Sequence, residues 1–423
     1  MPAKKRAVTA KKSATSVSPA KPAGLSVAAR RLREKFLLEV TSLPTAAGRE
    51  ERVIGCIEAW VAARRNRIVL SRDRCGNITI AQHGFLEACA RGAAPVLITA
   101  HLDHPAFIVT AVRTRGKSVE LDLEFRGGVN DPYFKGASLE VFDTATRRSF
   151  DAKIVDLDPR IDPVTKPFKT VVARLAKPAA MKAIAPGSIA RWRFPKAEIS
   201  KGLAHTHACD DLAALAAALV AFDGICRDPA LSHVALLFTR SEEIGFIGAI
   251  AAARDGTVPK GARLVCLENS RSFPHDSPIG AGPIVRVGDR LSVFTPELTN
   301  RISDIAAAHA KEDAAFRFQR KLMPGGACEA TAFASFGIAS TCICLPLGNY
   351  HNMRDIEGVA AGTTKARVGR EYISVADFHW LVQLLEVVAR RLDDASVVGG
   401  HRALMETLWA RHGAIVAPKT GAA

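Results

Sequence analysis

The chain has 423 residues, of which 48% are hydrophobic and 24% are charged. That length predicts about two to three structural units, and that composition excludes wholesale disorder and fibrous proteins. Lysine and arginine outnumber aspartate and glutamate by 58 to 42, and the resulting net charge of +16 admits a nucleic acid or an anionic surface as a partner.

The nine cysteines are odd in number and scattered along a long chain, which predicts no disulfide framework. The apolar runs at residues 212–222 and 244–253 are shorter than the ~20 residues that a transmembrane helix needs. No apolar segment of the signal-peptide type follows the basic N-terminus. We therefore expect a cytoplasmic protein in a reducing compartment, without membrane association.

The first part of the chain predicts a tail followed by helices and strands. Residues 1–24 carry six basic side chains and no acidic one, among Ala, Ser and Pro, which predicts a disordered basic tail. Apolar residues at helical spacing predict helices over residues 27–43 and 49–63, and apolar runs predict strands at 67–71, 78–83 and 95–100. A second disordered tail is expected at 417–423.

From residue 106 to residue 198 the pattern changes to short strands with frequent turns. Residues 118–125 alternate strictly between apolar and acidic side chains, and glycine, asparagine and proline mark repeated turns. This pattern predicts an all-β domain of residues 106–198 inserted into a catalytic domain that comprises residues 25–105 and 199–416. In the second segment, helices (211–221, 246–253, 301–311, 375–392) alternate with strands (233–238, 264–267, 341–345), which predicts a largely parallel sheet with helices on both faces.

Residues able to bind metals or move protons follow four of these strands and precede one helix. They are His101 and Asp103, Asp210 and Asp211, Glu242 and Glu243, Glu268, and His351. In an open α/β sheet, ligands bind outside the carboxyl ends of the strands, so these side chains are expected to meet at one edge. Two neutral imidazoles with three carboxylates suit a pair of zinc-like ions. Asp103 is placed to orient His101, and a further glutamate beside the metals would serve as the base.

Taken together, the motifs resemble the co-catalytic zinc aminopeptidase superfamily, and most closely the tetrahedral (TET-type) glutamyl/leucyl aminopeptidases, over about residues 30–395. The motifs are residues 99–103 (Thr-Ala-His-Leu-Asp), 208–211 (Ala-Cys-Asp-Asp), 240–248 (Arg-Ser-Glu-Glu-Ile-Gly-Phe-Ile-Gly) and 350–353 (Tyr-His-Asn-Met). Further support comes from residues 279–283 (Ile-Gly-Ala-Gly-Pro), from 325–326 (Gly-Gly), and from residues 127–129 (Gly-Gly-Val) inside the β insertion.

The resemblance implies a role for each matching residue. His101 and His351 would be terminal ligands of two divalent ions, most readily zinc, with cobalt or manganese as alternatives. Asp210 would bridge the ions, Glu243 and Glu268 would complete their coordination, and Glu242 would be the general base. The implied fold is an α/β/α sandwich with a mixed, largely parallel sheet and an inserted β-barrel that makes subunit contacts in a homo-oligomer.

Several positions depart from the family's pattern and leave the substrate open. Glu268 and Glu329 stand where the family usually has Asp, His104 stands where Glu is common, and Leu212 replaces an Arg. A glutamate at 268 is found in related deacylases and carboxypeptidases. His205 and His207 have no family counterpart and are expected to be alternative ligands, substrate contacts or ordinary polar residues of a turn.

Three functions remain open from the sequence. The first is a metal-dependent aminopeptidase acting on peptides, and the second is an amide hydrolase of the deacylase or carboxypeptidase type using the same site on N-acyl amino acids. An acylated substrate needs an arginine for its carboxylate, for which Arg271 and Arg354 are candidates; Glu329 is a further candidate substrate contact. The third is a nucleic-acid-binding protein with a basic tail on an inactive peptidase scaffold.

Most of the surplus positive charge lies outside the catalytic domain. Residues 1–24 carry six basic residues and no acidic one, and the insertion carries 17 basic and 11 acidic residues. Contact with a polyanion is expected mainly from the tail.

Overall fold

The computed structural model describes residues 25–416, apart from residues 145, 147 and 398. The strands are β1 (Ile68–Arg72), β2 (Ile78–Gln82), β3 (Val96–His101), β4 (Ala106–Arg115), β5 (Ser118–Arg126), β6 (Ser138–Phe142), β7 (Ser149–Asp158), β8 (Lys169–Leu175), β9 (Ile189–Trp192), β10 (Glu198–Ser200), β11 (Leu203–Thr206), β12 (Val234–Thr239), β13 (Arg263–Arg271), β14 (Ile284–Gly288), β15 (Gln319–Leu322), β16 (Ala339–Leu347) and β17 (Glu371–Ser374). The helices are α1 (Val27–Val40), α2 (Glu51–Ala62), α3 (Phe85–Ala90), α4 (Leu212–Ile225), α5 (Ile247–Arg254), α6 (Pro296–Glu312), α7 (Glu329–Ser335), α8 (Ile356–Ala360), α9 (Val375–Arg391) and α10 (Gly400–His412).

An eight-stranded mixed sheet forms the centre of the catalytic part, in the order β1-β2-β12-β3-β13-β16-β14-β15. The four adjacent strands β12, β3, β13 and β16 are parallel to one another, whereas β2 and β14 pair with this group in the antiparallel sense. The four parallel strands are apolar along most of their length because helices cover both faces of the sheet. The α/β class predicted from the alternating pattern is confirmed.

Two apolar layers flank the sheet. On one face pack α1, α2, α4, α6 and α9, and on the other face pack α3, α5 and α7. The central helix α4 is buried on almost all sides, and its alanines at 213, 214 and 216–218 are completely inaccessible. Because alanine adds little bulk, this helix lies close to both the sheet and α9. The arrangement is the expected α/β/α sandwich.

A closed barrel with the strand order β4-β5-β8-β7-β6-β9 lies between the two halves of the catalytic part in the sequence. The alternation in β5 corresponds to its burial, because Val119, Leu121, Leu123 and Phe125 all point into the barrel core. Phe107, Phe125, Phe134 and Trp192 fill that core with ring centroids 4.8–6.0 Å apart. The barrel therefore has a hydrophobic core of its own, separate from the two layers on the sheet.

The helices and strands differ from the sequence predictions mainly at their ends. The first predicted helix ends at Val40 rather than at residue 43, and the strand predicted at 264–267 extends over Arg263–Arg271. Helices α3, α7, α8 and α10 were not predicted. All nine cysteines are free, and Cys342 and Cys344 are buried in β16. None of the helices in the described part of the chain is both long and apolar enough to cross a bilayer. The predicted tails, 1–24 and 417–423, lie outside the described residues.

Candidate metal centre and adjoining cavity

The predicted site residues converge at one edge of the sheet. His101 is the last residue of β3, Glu268 lies within β13 three residues before its end, and Glu242 and Glu243 follow β12 after a two-residue connection. His351 follows β16, and Asp210 lies just before α4. Because β12, β3, β13 and β16 run parallel, their carboxyl ends meet at the same edge. The fold thus assembles residues that are far apart in the sequence.

Asp210 lies between the two histidines. One carboxylate oxygen, Oδ1, is 3.2 Å from His101 Nε2, and the other, Oδ2, is 3.4 Å from His351 Nε2. His351 Nε2 is also 3.5 Å from Glu243 Oε1. Two sets of possible ligand atoms share Asp210, one with His101 and Glu268 and one with Glu243 and His351, and the atoms of each set lie within 4.8 Å of one another. This is the geometry expected for a carboxylate that bridges two ions.

The charge of the cluster fits divalent cations. Among the described residues, the ion-pair partners of Asp210, Glu242 and Glu243 are histidines alone, although all three carboxylates are inaccessible or nearly so. Several buried ligand atoms have no hydrogen-bond partner in the described chain, namely His101 Nε2, Asp210 Oδ1 and Glu243 Oε1. Buried carboxylates without a counter-charge are costly, so this donor set fits metal ions.

The pKa values of the acidic groups reflect the same excess of buried negative charge. Burial raises the pKa of Glu242, Glu243 and Glu268 well above the usual value, and the neighbouring carboxylate of Asp210 adds to this effect. Burial acts in the same direction on Asp210, but His101 and His351 hold its pKa below the usual range. Asp210 is therefore the carboxylate of the cluster that the imidazoles already stabilise in its charged form.

Asp103 fixes the loop that carries the two glutamates. Its carboxylate accepts the backbone N–H groups of Glu242 (2.9 Å) and Glu243 (3.0 Å). Its main-chain oxygen lies 3.2 Å from His101 Nδ1, and its carboxylate Oδ1 lies 3.5 Å from the same nitrogen. The buried Glu50 supports the loop from the other side, because it accepts the Ser241 N–H and pairs with Arg240 at 2.7 Å. Asp103 thus lies beside His101, as predicted. It also holds the loop of Glu242 and Glu243, a role that the sequence did not indicate.

The barrel contributes to the position of His351. His351 Nδ1 donates to the carbonyl of Gly128 at 2.6 Å, which leaves Nε2 facing Asp210. The backbone of His351 is in the left-handed region, with φ of 53°. Such a conformation in a non-glycine residue requires support from its surroundings, and it is frequent at functional sites. The glycine pair in the insertion is therefore part of the support for the metal centre.

Backbone contacts hold the segment before α4. Glu371 accepts the N–H groups of Cys209 (2.7 Å) and Asp210 (3.1 Å), and Asn269 donates to the Cys209 carbonyl. The peptide bond between Asp210 and Asp211 is cis. Asp211 itself is fully buried and accepts the His101 N–H at 3.3 Å. Glu371 gave no signal in the sequence, since it stands alone in a short strand far from the other site residues.

The three candidate substrate contacts lie in different environments. Arg271 lines a cavity of about 800 Å³ that adjoins Glu268, and it contacts Glu357. Arg354 is exposed and lies outside the lining of this cavity; its carbonyl accepts the Tyr133 hydroxyl. Glu329 is 1% exposed at the start of α7 and has no hydrogen-bond partner in the described chain. Burial raises its pKa to about 7.

The additional histidines are not part of either ligand set. His205 lies in β11 with its ring 5.4 Å from that of Tyr372, and the buried His207 lies beside Phe194. His104 contacts the Asp210 carbonyl through Nδ1, and its Nε2 lies 3.1 Å from Asn352. Burial lowers the pKa of His104 to about 4 and that of His207 to about 3, so both rings are neutral at pH 7.

Arg286, a further arginine of this cavity, was not predicted from the sequence as a site residue. Arg286 lines the cavity from β14 and is almost completely buried. The available signal was an arginine in the middle of the short apolar strand Ile284–Gly288. In a sheet covered on both faces, a charged residue at such a position needs a specific reason.

The sandwich, the inserted barrel and a buried cluster of histidines and carboxylates at the strand ends together define the class of metal-dependent hydrolases. The family model of the M42 glutamyl aminopeptidases matches residues 76–363, so the chain belongs to this family of peptide hydrolases. A comparison with curated proteins gave no match.

Solved structures of aminopeptidases share the fold. The TET1 peptidase of Pyrococcus horikoshii is 19% identical with a TM-score of 0.63, and the match covers 84% of this chain and 99% of that one. The aminopeptidase APDkam598 of Desulfurococcus kamchatkensis is 18% identical with a TM-score of 0.64, covering 88% and 98%. An M18-family aminopeptidase of Thermotoga maritima is 14% identical with a TM-score of 0.62, covering 86% and 97%. The expected resemblance is confirmed.

Proposed function

We propose that the chain is a two-metal aminopeptidase that removes N-terminal residues from peptides. The observation that carries this proposal is the position of Asp210, whose two oxygens face His101 and His351 separately. One ion would be held by His101, Asp210 and Glu268, and the other by Asp210, Glu243 and His351. Zinc suits these nitrogen and oxygen ligands, and cobalt or manganese would also fit.

Each residue of the site has a role in this reaction. When bound, the ions would polarise the scissile carbonyl and make water a stronger nucleophile. Glu242 would receive a proton from the attacking water and deliver it to the leaving amine, as a general base and then a general acid. Its carboxylate lies 3.9 Å from His101 Nε2, beside the two ligand sets, where such a proton would be exchanged. Asp103 would keep Glu242 in position through the backbone contact described above.

Hydrolysis of N-acyl amino acids is the second candidate reaction. Buried Arg286 favours it, because an acylated substrate has a free α-carboxylate that requires a cation close to the metals. The assignment to an inactive nucleic-acid-binding scaffold is weaker, since every acid, base and ligand of the proposed mechanism is present in one cluster. A weak polyanion contact through the tail at residues 1–24 is compatible with either hydrolase.

We further propose that the chain forms a homo-oligomer through the barrel domain, residues 106–198, and acts in the cytoplasm. The TET1 peptidase of P. horikoshii assembles into a tetrahedron or a large octahedral shell. A barrel with its own core, attached to the catalytic part at two points of the chain, is suited to such a contact. Analytical ultracentrifugation of the full chain tests this proposal.

The decisive experiment combines metal analysis with turnover. Purified protein is loaded with zinc and tested on aminoacyl p-nitroanilides and N-acetyl amino acids, as wild type, as Glu242→Gln and as the surface control Glu87→Gln. We expect about two bound ions per chain and a loss of kcat of about 10²–10⁴-fold in Glu242→Gln with its metal retained. Wild-type protein without bound metal, or full turnover by Glu242→Gln, would refute the mechanism.

A further inference from the structure

His104 lies between the segments that carry two of the proposed metal ligands. It is 5% exposed, and its two ring nitrogens contact different parts of the chain. Nδ1 donates to the main-chain carbonyl of Asp210, and Nε2 lies 3.1 Å from Asn352 Oδ1. Asn352 directly follows His351, whose ring meets that of His104 edge-on with the centroids 6.3 Å apart. A single side chain therefore connects the segment of the shared ligand with the segment of a terminal ligand.

The segment that carries His351 depends on such contacts. His351 and Asn352 are both in the left-handed region, with φ of 53° and 62°. Two successive non-glycine residues in that region need support from outside the segment. The Asn352 amide provides part of it, because Nδ2 donates to the His207 carbonyl at 2.9 Å while Oδ1 faces His104. His104 therefore ties this segment to the one that precedes α4.

The two proposed ligand sets are held in different ways. The first set comprises His101, Asp210 and Glu268, and the second comprises Asp210, Glu243 and His351. His101 and Glu268 lie within β3 and β13, which are neighbouring parallel strands of the central sheet. Glu243 and His351 lie in short helical turns after β12 and β16. The spacing of the second set therefore depends more on side-chain contacts than on strand pairing.

An imidazole has the hydrogen-bonding groups that this position needs. A main-chain carbonyl only accepts hydrogen bonds, so the partner of the Asp210 carbonyl must carry an N–H or O–H group. The glutamate that is common at position 104 in the family is an acceptor only when it is ionised. A histidine donates from one ring nitrogen and presents the other to Asn352. The contact with Asp210 is therefore a consequence of this chain's own residue at position 104.

We propose that His104 is a positioning residue that sets the spacing between Asp210 and His351 and thereby the affinity of the second ligand set for its ion. This inference rests on the proposed function, because it requires two bound ions. The first set is expected to fill first, since strands hold two of its ligands. Replacement of His104 is then expected to weaken the second ion and to leave the first nearly unchanged.

Stepwise metal binding tests this assignment. Metal-free wild type, His104→Ala and His104→Gln are titrated with Zn²⁺ in competition with a chromogenic chelator. In His104→Ala we expect the Kd of the second ion to rise by about 10- to 100-fold and that of the first to change by less than about threefold. His104→Gln is expected to recover part of the affinity, because its amide N–H can donate to the same carbonyl.

His379→Gln is the matched control for the loss of a buried imidazole. His379 lies in α9 and is 2% exposed. Its Nε2 lies 3.2 Å from Glu34 in α1, and it belongs to neither ligand set. Both zinc affinities of this control are expected to match those of wild type.

Cobalt provides a readout that a general loss of stability does not change. Co²⁺ accepts the same nitrogen and oxygen ligands as zinc, and its visible absorption depends on their number and geometry. The spectrum of the first equivalent is expected to be the same in wild type and His104→Ala, whereas that of the second is expected to shift or weaken. If His104→Ala does not fold, as judged by circular dichroism, His104→Gln carries the measurement with a smaller change in the second spectrum alone.

The outcomes separate this inference from the proposed function. Selective weakening of the second ion, with the first cobalt spectrum unchanged, supports the inference. If wild type binds two ions and hydrolyses aminoacyl p-nitroanilides, but the His104 variants weaken both ions equally or neither, the inference is overturned and the proposed function stands. If wild type binds fewer than two ions, the proposed function fails and the inference falls with it, and the wild-type titration alone shows this.

Discussion

The metal centre and the cavity beside it bury charge of opposite sign. In the metal centre, the carboxylates of Asp210, Glu242 and Glu243 are paired with two histidines and with no lysine or arginine of the described chain. In the cavity, Arg286 is surrounded by carbonyls and a hydroxyl. Uncompensated buried charge lowers the free energy of unfolding. Among the described residues, the first region therefore holds buried negative charge without a lysine or arginine partner, and the second holds a guanidinium without a carboxylate at ion-pair distance.

His207 is a buried titratable residue that belongs to neither of the two proposed ligand sets. Both of its ring nitrogens lack a hydrogen-bond partner in the described part of the chain. Burial, assisted by the charges of Arg191 and Arg370, lowers its pKa to about 3. The ring thus avoids the cost of burial by staying neutral, whereas an arginine such as Arg286 keeps its charge.

The largest expected effect is that of removing the shared ligand. Asp210→Asn keeps the size of the side chain but removes the charge that faces both histidines. We expect the bound metal to fall from about two ions to less than one per chain, and turnover to fall by at least about a thousandfold. Elemental analysis and a kinetic assay measure both quantities. Asp255→Asn, at the surface, is the control, and retention of both ions by Asp210→Asn would contradict the bridging role.

The second prediction concerns the neutral histidine. Since a free histidine titrates near pH 6.5 and His207 at about 3, the unfolded chain binds a proton between these pH values that the folded chain does not. The free energy of unfolding therefore falls as the pH drops from about 6.5 towards 3, by on the order of 4 kcal/mol from this group. His207→Phe is expected to flatten the curve over that range in urea titrations. An identical slope for variant and wild type would show that His207 is not buried in its neutral form.

The third prediction tests the support of the metal centre. Asp103→Asn removes one of the acceptors for the Glu242 and Glu243 N–H groups and changes the environment of His101. Groups that orient metal ligands typically change metal affinity by about 10- to 100-fold, and we expect a loss of this size. Competition with a chromogenic chelator measures it. Unchanged zinc affinity together with lower turnover would instead assign Asp103 to the reaction alone.

The smallest effect is expected for the second arginine of the cavity. Arg271 contacts Glu357 and is partly exposed, so its charge is already neutralised. Partly exposed ion pairs contribute about 0–1 kcal/mol, and we therefore expect Arg271→Met to change the preference for carboxylate substrates by less than about fivefold. The kcat/KM ratios of glutamyl- against glutaminyl-p-nitroanilide, and of N-acetylleucine against its amide, measure it. A change larger than about fivefold would show that Arg271 contacts the substrate in spite of its pairing with Glu357.

The proposed metal ligands could be selected from the sequence because most of them lie next to the start or the end of a recognisable element. His101 follows an apolar strand, Asp210 precedes an alanine-rich helix, and Glu242 and Glu243 follow another strand. The hydrophobic pattern located those elements, and the parallel arrangement of the strands required their ends to meet. The β insertion was visible for a similar reason, since the strict alternation in β5 has a period of two residues.

Contacts between distant segments were decided by the tertiary structure alone. The donation of His351 to the Gly128 carbonyl depends on where the barrel lies against the catalytic part. The second role of Asp103 depends on the path of the loop after β12. Glu371 reaches the segment before α4 from a separate three-stranded sheet with the order β10-β11-β17. None of these contacts leaves a periodic pattern, because each joins one residue to the backbone of a remote segment.

The sequence by itself therefore determined the fold class and singled out the proposed metal ligands, because both depend on local periodicity and on motifs near the ends of elements. The tertiary structure decided which arginines line the cavity beside Glu268. Arg271 and Arg354 were the candidate arginines from the sequence, yet Arg354 is exposed and lies outside the lining of this cavity. Arg286 reaches the cavity through the pairing of β14 with β16, and strand pairing is set by packing across the whole sheet.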